Sequence, residues 1–427
     1  MKRLLKTTLF FLSIFLCKIP AHQQITSISA SNASLDKAED LVTARVFIHG
    51  TVLIGCFFVD IPGSWRDQYS ENSLIERAMA SARKHPFLHH SEIVLDLGLT
   101  DITQEIMVPL SHPLTDEKAA ISIIRTFERT DRCVSARRGA YHYYTFGWSG
   151  ALSERKRNKE SGYLYEKLLE IKSTLTQQYP NARIKFELYA HSHGGQLIAH
   201  LPIIRKNRGN SDLYIDLAVL CATPLYKEKM QPMVSSSMFG TIINFYSCGD
   251  KVQNLDIIST PQHYCVRTLK ELEIPLPTHN KNGPRVLDVC LSVHNNPYVF
   301  SHESFFCCTT YRLPSHYRKR RHIRKTLNLF GPLPVLVLYP ACIKSIESLN
   351  LVSGFHSVIM NLEHKRNTCI ALSVKHQTQF KESAAFDDTR YYKIQPLSFD
   401  FLKEYGYRAR TSRSNQLKYT FYHIMHS

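Results

Sequence analysis

The chain has 427 residues, 44% of them hydrophobic and 21% charged, with a formal net charge of +17. That length suits one large α/β domain with extensions, or two domains, and the composition is that of an ordinary globular protein rather than one embedded in a membrane. The basic balance favours anionic partners such as phospholipid surfaces, and has no bearing on the fold.

The chain opens with Met1-Lys2-Arg3-Leu4-Leu5-Lys6, an apolar run from Thr7 to Cys17, and Lys18-Ile19-Pro20-Ala21. A basic start, an apolar core of about 10 residues and a small residue near position 21 have the form of a secretory signal peptide over residues 1–21. The run is shorter than the roughly 20 apolar residues that span a bilayer. No later stretch is long enough either, so the expected product is exported, and is periplasmic, secreted or peripheral to a membrane. Ten of the eleven cysteines lie beyond the leader. An exported chain permits disulfides among them, but the spacing shows no framework and the thiol state stays open. Without a CxxC pair no structural zinc site is expected, and nothing implies a cofactor.

Ala44-Arg45-Val46-Phe47-Ile48 predicts a buried strand that runs into His49-Gly50-Thr51. Residues 52–140 read as a long insertion with helical segments near 72–84 and 116–129, a candidate lid. Tyr141 to Phe146 predicts an aromatic strand ending in Gly147-Trp148-Ser149-Gly150. A long helix follows, with Leu164, Leu168, Ile171 and Leu175 on one face, and Pro180-Asn181 closes it. Ile184 to Ala190 alternates as a strand, and Leu197, Ile198 and Leu201 begin a helical pattern. Leu213 to Cys221 and Thr241 to Cys248 are nearly continuous apolar runs, as in parallel sheets covered on both faces. Val286 to Val293 reads as the last strand of that sheet. Beyond about residue 311 the character changes. Arg312, Arg318, Lys319, Arg320, Arg321, Arg324 and Lys325 crowd a stretch without acidic residues, and Ser357 to Glu363 with Thr368 to Val374 flank a hairpin-like turn. The expected organisation is a leader at 1–21, an α/β domain at 40–310 and a C-terminal α+β extension at 311–427.

Ala190-His191-Ser192-His193-Gly194-Gly195 closes the strand pattern and opens the helical one. A serine on a tight strand-to-helix turn takes a strained backbone conformation, and its close-packed flanks demand small residues, here Ala190 and Gly194. The helix N-terminus beyond it favours negative charge developing on a substrate oxygen. A serine hydroxyl needs a base to take its proton and an anion to orient that base. Asp250, in the turn Gly249-Asp250-Lys251 after a predicted strand, is the first choice for the acid, with Asp256 and Asp288 as substitutes. His302 follows the last predicted strand and is the first choice for the base, with His294 as rival. His191 and His193, two apart, also fit a zinc pair on a straight strand, but the glycines beyond them indicate a turn.

The small-x-Ser-x-Gly turn resembles the nucleophile elbow of α/β-hydrolases, and His49-Gly50-Thr51 resembles the His-Gly element of lipases and esterases. Gly147-Trp148-Ser149-Gly150 is similar to bacterial lipase-like members, so the resemblance covers about residues 44–305. It departs from the commoner pattern in having Ala190 where the first glycine stands. The resemblance implies a mostly parallel sheet covered by helices on both faces, the order Ser192, Asp250, His302, and an oxyanion site built from the N–H groups of His193 and Thr51. It implies hydrolysis of carboxylic esters, most naturally lipid esters, by an acyl-enzyme route. Acyl transfer by the same residues and a non-catalytic binding protein on the same scaffold are the alternatives. The basic segment 312–325 reads as a solvated face, with peripheral contact to an anionic membrane as the functional alternative, and nucleic acid is a less favoured partner. The oligomeric state is not legible.

Overall fold

The computed structural model describes residues 41–50, 96–107, 119–134, 139–151, 153–209, 212–250, 253, 265–274, 283–300, 302–305, 335–365, 369–377 and 388–392. The leader, Thr51, the segment 72–84, Asp256, Cys307-Cys308 and the basic run 312–325 lie outside these residues.

Among the described residues ten strands form one sheet. In chain order they are β1 (Leu41–Ile48), β2 (Gly98–Asp101), β3 (Ala140–Gly147), β4 (Arg183–His191), β5 (Ile215–Cys221), β6 (Phe239–Tyr246), β7 (Arg285–Val293), β8 (Gly354–Lys365), β9 (Cys369–Gln377) and β10 (Asp388–Tyr392). The spatial order is β10-β9-β8-β7-β6-β5-β4-β1-β3-β2. Pairing is parallel from β3 through β1, β4, β5, β6 and β7 to β8. It is antiparallel where β2 joins β3, where β9 joins β8 and where β10 joins β9. The chain lays β3 on one side of β1 and β4 on the other, so the winding reverses there. In open α/β sheets ligands bind outside the carboxyl ends of strands at such a reversal.

Among the described residues six helices pack on this sheet: α1 (Thr103–Met107), α2 (Ala119–Val134), α3 (Glu154–Gln178), α4 (Gly194–Asn207), α5 (Lys227–Val234) and α6 (Tyr339–Glu347). Successive strand residues point to opposite faces, and the core divides accordingly. Val46, Leu188, Ala190, Ala218 and Leu220 meet Leu164, Leu168 and Ile171 of α3, Leu197, Ile198 and Leu201 of α4, and Met230 and Met233 of α5. Phe47, Tyr189, Val219, Phe245 and Val289 meet Ile123, Ile124 and Phe127 of α2 and Ala341, Cys342 and Ile346 of α6. Burying each such Leu, Ile or Phe contributes about 1.5–3 kcal/mol, so both covers are strongly held. Ser153 accepts the Lys156 N–H and caps α3, which ends at Tyr179 ahead of Pro180 as its sequence predicts. Helices thus cover this mostly parallel sheet on both faces.

Three expectations are corrected. Val286–Val293 is not the last strand of the sheet, and β8, β9 and β10 belong to that sheet rather than to a separate extension. Val358, Met360 and Leu362 of β8 share a buried cluster with Leu287, Val289, Leu291 and Val293 of β7. The apolar face of β8 matches that of β7 and covers its backbone edge, which a lone β7 would leave unpaired. The predicted hairpin is present as β8 and β9. Within the insertion, α2 is a layer of the core. Its Ile123, Ile124 and Phe127 are fully buried against the sheet, so this part of 52–140 is no lid.

Candidate active site

β4 hands over to α4 through Ser192, whose φ is +52°. A non-glycine residue held there costs on the order of 1–3 kcal/mol, and persists when its surroundings over-determine it. Ser192 N donates to the Cys221 carbonyl at 2.8 Å, extending the β4–β5 ladder by one bond, while Gly195 N returns to the Ser192 carbonyl at 3.0 Å. Both flanks are tight. A Cβ on Gly194 would sit 2.4 Å from the His49 carbonyl oxygen. One on Gly50 would sit 2.8 Å from Ser192 Cβ. The loop after β1 therefore touches the serine, and only glycine allows it. His193 is the N-cap of α4, so its backbone N–H stands at the positive end of that helix.

His302 opens a short 3-10 turn, His302–Phe305, on the connection after β7. Its Nε2 lies 2.9 Å from Ser192 Oγ, and its Nδ1 lies 2.9 Å from Asp250 Oδ2. A carboxylate only accepts, so Nδ1 carries the proton and Nε2 offers its lone pair to the serine hydroxyl. Ser192, Asp250 and His302 are 5%, 0% and 8% exposed, respectively.

Asp250 is positioned by the turn after β6. Its N–H donates to the Ser247 carbonyl at 3.1 Å, and Gln253 N donates to Oδ1 at 3.2 Å. Arg267 Nη2 donates to the Asp250 carbonyl at 3.0 Å. The same turn grips the connection that leads to the base. Ser247 Oγ donates to the Pro297 carbonyl at 2.6 Å, and Gly249 is pressed against the carbonyls of Tyr298 and Phe300.

The rivals occupy other places. Asp288, in mid β7, accepts from Asn244 Nδ2 at 2.8 Å, Leu269 N at 2.9 Å and Lys270 N at 3.0 Å. It anchors the 3-10 turn Lys270–Leu272, and burial pushes its carboxyl up to about 6. His294, just past β7 with φ +50°, donates its backbone N–H to the Leu362 carbonyl at 3.1 Å and ties β7 to β8. His191 ends β4 and His193 begins the next element, so the two do not line one face of a strand. Among the described residues no group of three or more His, Cys, Asp or Glu side chains is arranged to hold a metal ion, and no helix is long and apolar enough to cross a membrane. Thr51, the second expected oxyanion donor, lies outside the described residues.

Several residues of the site have no assigned role in the sequence reading. His49 and Trp148 form a clasp between the loops after β1 and β3. Trp148 Nε1 donates to the His49 carbonyl at 2.7 Å, and Trp148 N donates to His49 Nε2 at 3.1 Å. Because that Nε2 accepts, His49 carries its proton on Nδ1, 2.6 Å from the Gly50 carbonyl. The Gly147-Trp148 motif pointed to this loop without its partner. Arg267 gives no local signal, because it acts through the Asp250 carbonyl 17 residues away in sequence. Cys248, two residues before Asp250, has its thiol brought down by a hydrogen bond from Cys290, while that partnership pushes the Cys290 thiol up.

Comparison with known proteins finds no matching family model and no matching curated protein. Among solved structures the chain is similar to a hyperthermophilic esterase from the archaeon Pyrobaculum calidifontis. That likeness has 10% identity and a TM-score of 0.25, covering 61% of this chain and 60% of the esterase. The chain thus spans under two thirds of that protein. A fungal esterase from Rhizomucor miehei is similar at 12% identity and a TM-score of 0.28, covering 72% of this chain and 77% of that one. A thermophilic carboxylesterase cloned from a metagenomic library is similar at 10% identity and a TM-score of 0.28, covering 88% and 81%.

Proposed function

We propose that this chain is a serine hydrolase of the α/β-hydrolase type that cleaves carboxylic esters. The observation that carries the reading is the unbroken chain from Asp250 Oδ2 through His302 to Ser192 Oγ, two contacts of 2.9 Å each, on a serine held at positive φ. In this reading Ser192 Oγ attacks the acyl carbonyl as its proton passes to His302 Nε2. Asp250 holds the ring by its Nδ1–H and stabilises the imidazolium. The N–H groups of His193 and Thr51 receive the negative charge that develops on the carbonyl oxygen. Collapse of the adduct expels the alcohol, which takes the proton from His302, and leaves an acyl group on Ser192. Water then attacks the acyl-enzyme, with His302 again as base, and releases the acid.

Lipid esters are the substrate class we assign, on the lipase-like motifs at 49–51 and 147–150 and the basic segment 312–325, which suits an anionic lipid surface. Export rests on the leader at 1–21. A tagged fluorophosphonate is expected to label the wild type on Ser192 and to leave Ser192→Ala unlabelled; equal labelling of both overturns the assignment. A panel of esters of increasing acyl length then tests the lipid class, which predicts a higher kcat/KM for long chains than for acetate.

A further inference from the structure

The triad accounts for the imidazole of His302 but not for what holds its main chain against the nucleophile. His191, the residue immediately before Ser192, is buried at 7% exposure. Its Nε2 lies 3.2 Å from the His302 carbonyl oxygen. A carbonyl only accepts, so this Nε2 is the donor. The two rings also pack, with centroids 4.8 Å apart and planes inclined by 41°. We infer that His191 is a positioning residue for the base, tying the backbone of His302 to the strand that ends at Ser192.

The inference rests on the triad reading and extends it. His302 sits on an irregular connection with two anchors of different kinds. On the acid side, the Ser247–Pro297 bond and the close approach of Gly249 to Tyr298 and Phe300 fix the connection to the turn carrying Asp250. On the nucleophile side, His191 supplies the tie. Because His191 and Ser192 are adjacent, the tie sets the spacing between nucleophile and base directly. A misplacement of about 1 Å can cost on the order of 100-fold in rate, so such a strut has kinetic weight.

The strut must also stay neutral, since a second imidazolium packed on His302 would oppose the charge that forms there during reaction. The surroundings meet that need. Burial first, and then the neighbouring His302, hold the His191 imidazole well below its ordinary value. The remaining ring nitrogen, Nδ1, faces Gly50, where a Cβ would come within 2.9 Å of it. Glycine at position 50 thus leaves room for the histidine as well as for the serine.

The test uses the full chain with a short activated ester and a fluorophosphonate. His191→Phe keeps a ring and loses the donor; His191→Gln keeps a donor and loses the ring. Circular dichroism and thermal unfolding check that each is folded, and His191→Met serves as the donor-less variant where His191→Phe does not fold. The donor-less variant is expected to lose about 10- to 100-fold in kcat with KM within about twofold, and to label at Ser192 more slowly by the same factor. His191→Gln is expected to recover most of that loss. Wild-type kcat and labelling in the donor-less variant, an effect confined to KM, or a glutamine variant no better than phenylalanine each overturns the inference while leaving the triad intact. A wild type that neither turns over ester nor takes the label overturns the triad reading, and this inference with it.

Discussion

Two buried polar clusters share the central strands β1 and β4, and they are built to opposite ends. At the carboxyl end, Ser192, His302 and Asp250 form a directed chain that finishes on a hydroxyl. Lower in the same sheet, Arg45 stands opposite Glu187 in the β1–β4 register. Its guanidinium donates to Glu187 at 2.8 Å and to Asp131 of α2 at 2.7 Å, and its Cζ lies 4.7 Å from the centre of the Tyr141 ring. Glu187 also takes Lys185 at 2.7 Å and the Tyr189 hydroxyl at 3.0 Å. Arg45 and Glu187 are each 5% exposed, as buried as Ser192. Burial of charge therefore does not mark the site. What separates the two is strain and direction: the lower cluster closes each charge on an opposite one within regular strands and α2, whereas the upper one holds a serine at positive φ on a turn with its oxygen against His302.

If the clusters differ in this way, substitutions should separate activity from stability. The largest effect is expected from Asp250→Asn, which keeps the shape but turns the imidazole to the wrong tautomer. Steady-state hydrolysis should fall by about 10⁴-fold, with the thermal midpoint nearly unchanged; a comparable loss of stability would make Asp250 another structural anchor. Arg45→Met should do the reverse. Leaving Glu187 and Asp131 without their shared cation is expected to cost about 3–5 kcal/mol in denaturant unfolding. The labelling rate of the molecules that remain folded should match wild type, and a slower rate would mean that the lower cluster shapes the upper.

Acid offers a finer cut. Burial alone would raise the Glu187 carboxyl, but Arg45 and Lys185 together bring it from 4.5 down to about 2. A depressed carboxyl contributes stability above its unfolded value and loses it as pH falls through the folded one. About 3 kcal/mol should thus disappear between roughly pH 4.5 and 2. Glu187→Gln should flatten that part of the stability curve, and an unchanged curve would refute the assignment. Asp288 runs the other way. Its carboxyl, pushed up to about 6 by burial, contributes most below 3.8 and loses that contribution as pH rises through 6. The smallest effect concerns thiols. Cys248 should be alkylated by iodoacetamide near neutral pH before Cys221, Cys290 and Cys342, whose thiols are all pushed up. Mass spectrometry of the modified peptides checks the order.

The two clusters were not equally legible. The elbow is a contiguous pattern: a strand of period two, a serine between small residues, then apolar positions at helical spacing. Each part reports local sterics, so Ser192 can be read from its neighbours alone. Arg45 gives no such signal, because Glu187 and Asp131 are far away in sequence and meet it only through strand register and the packing of α2. The same gap explains the errors in organisation. The apolar face of β8 looks like part of a C-terminal extension until β7 is seen to lack a partner on that edge, and α2 looks like a lid until its isoleucines are seen against the sheet.

The sequence by itself determined the alternation of strands and helices, the strained serine turn and the need for small residues at positions 190 and 194, because these follow from backbone sterics and side-chain periodicity within a few residues. It narrowed the partners of Ser192 to Asp250 or two substitutes and to His302 or His294. The tertiary structure tells apart those of them that it describes. It brings Asp250 and His302 into one chain of hydrogen bonds, binds Asp288 to the backbone of residues 269 and 270, and ties the backbone of His294 to β8. Distance between residues remote in sequence is set by sheet order and register, and no local pattern carries it.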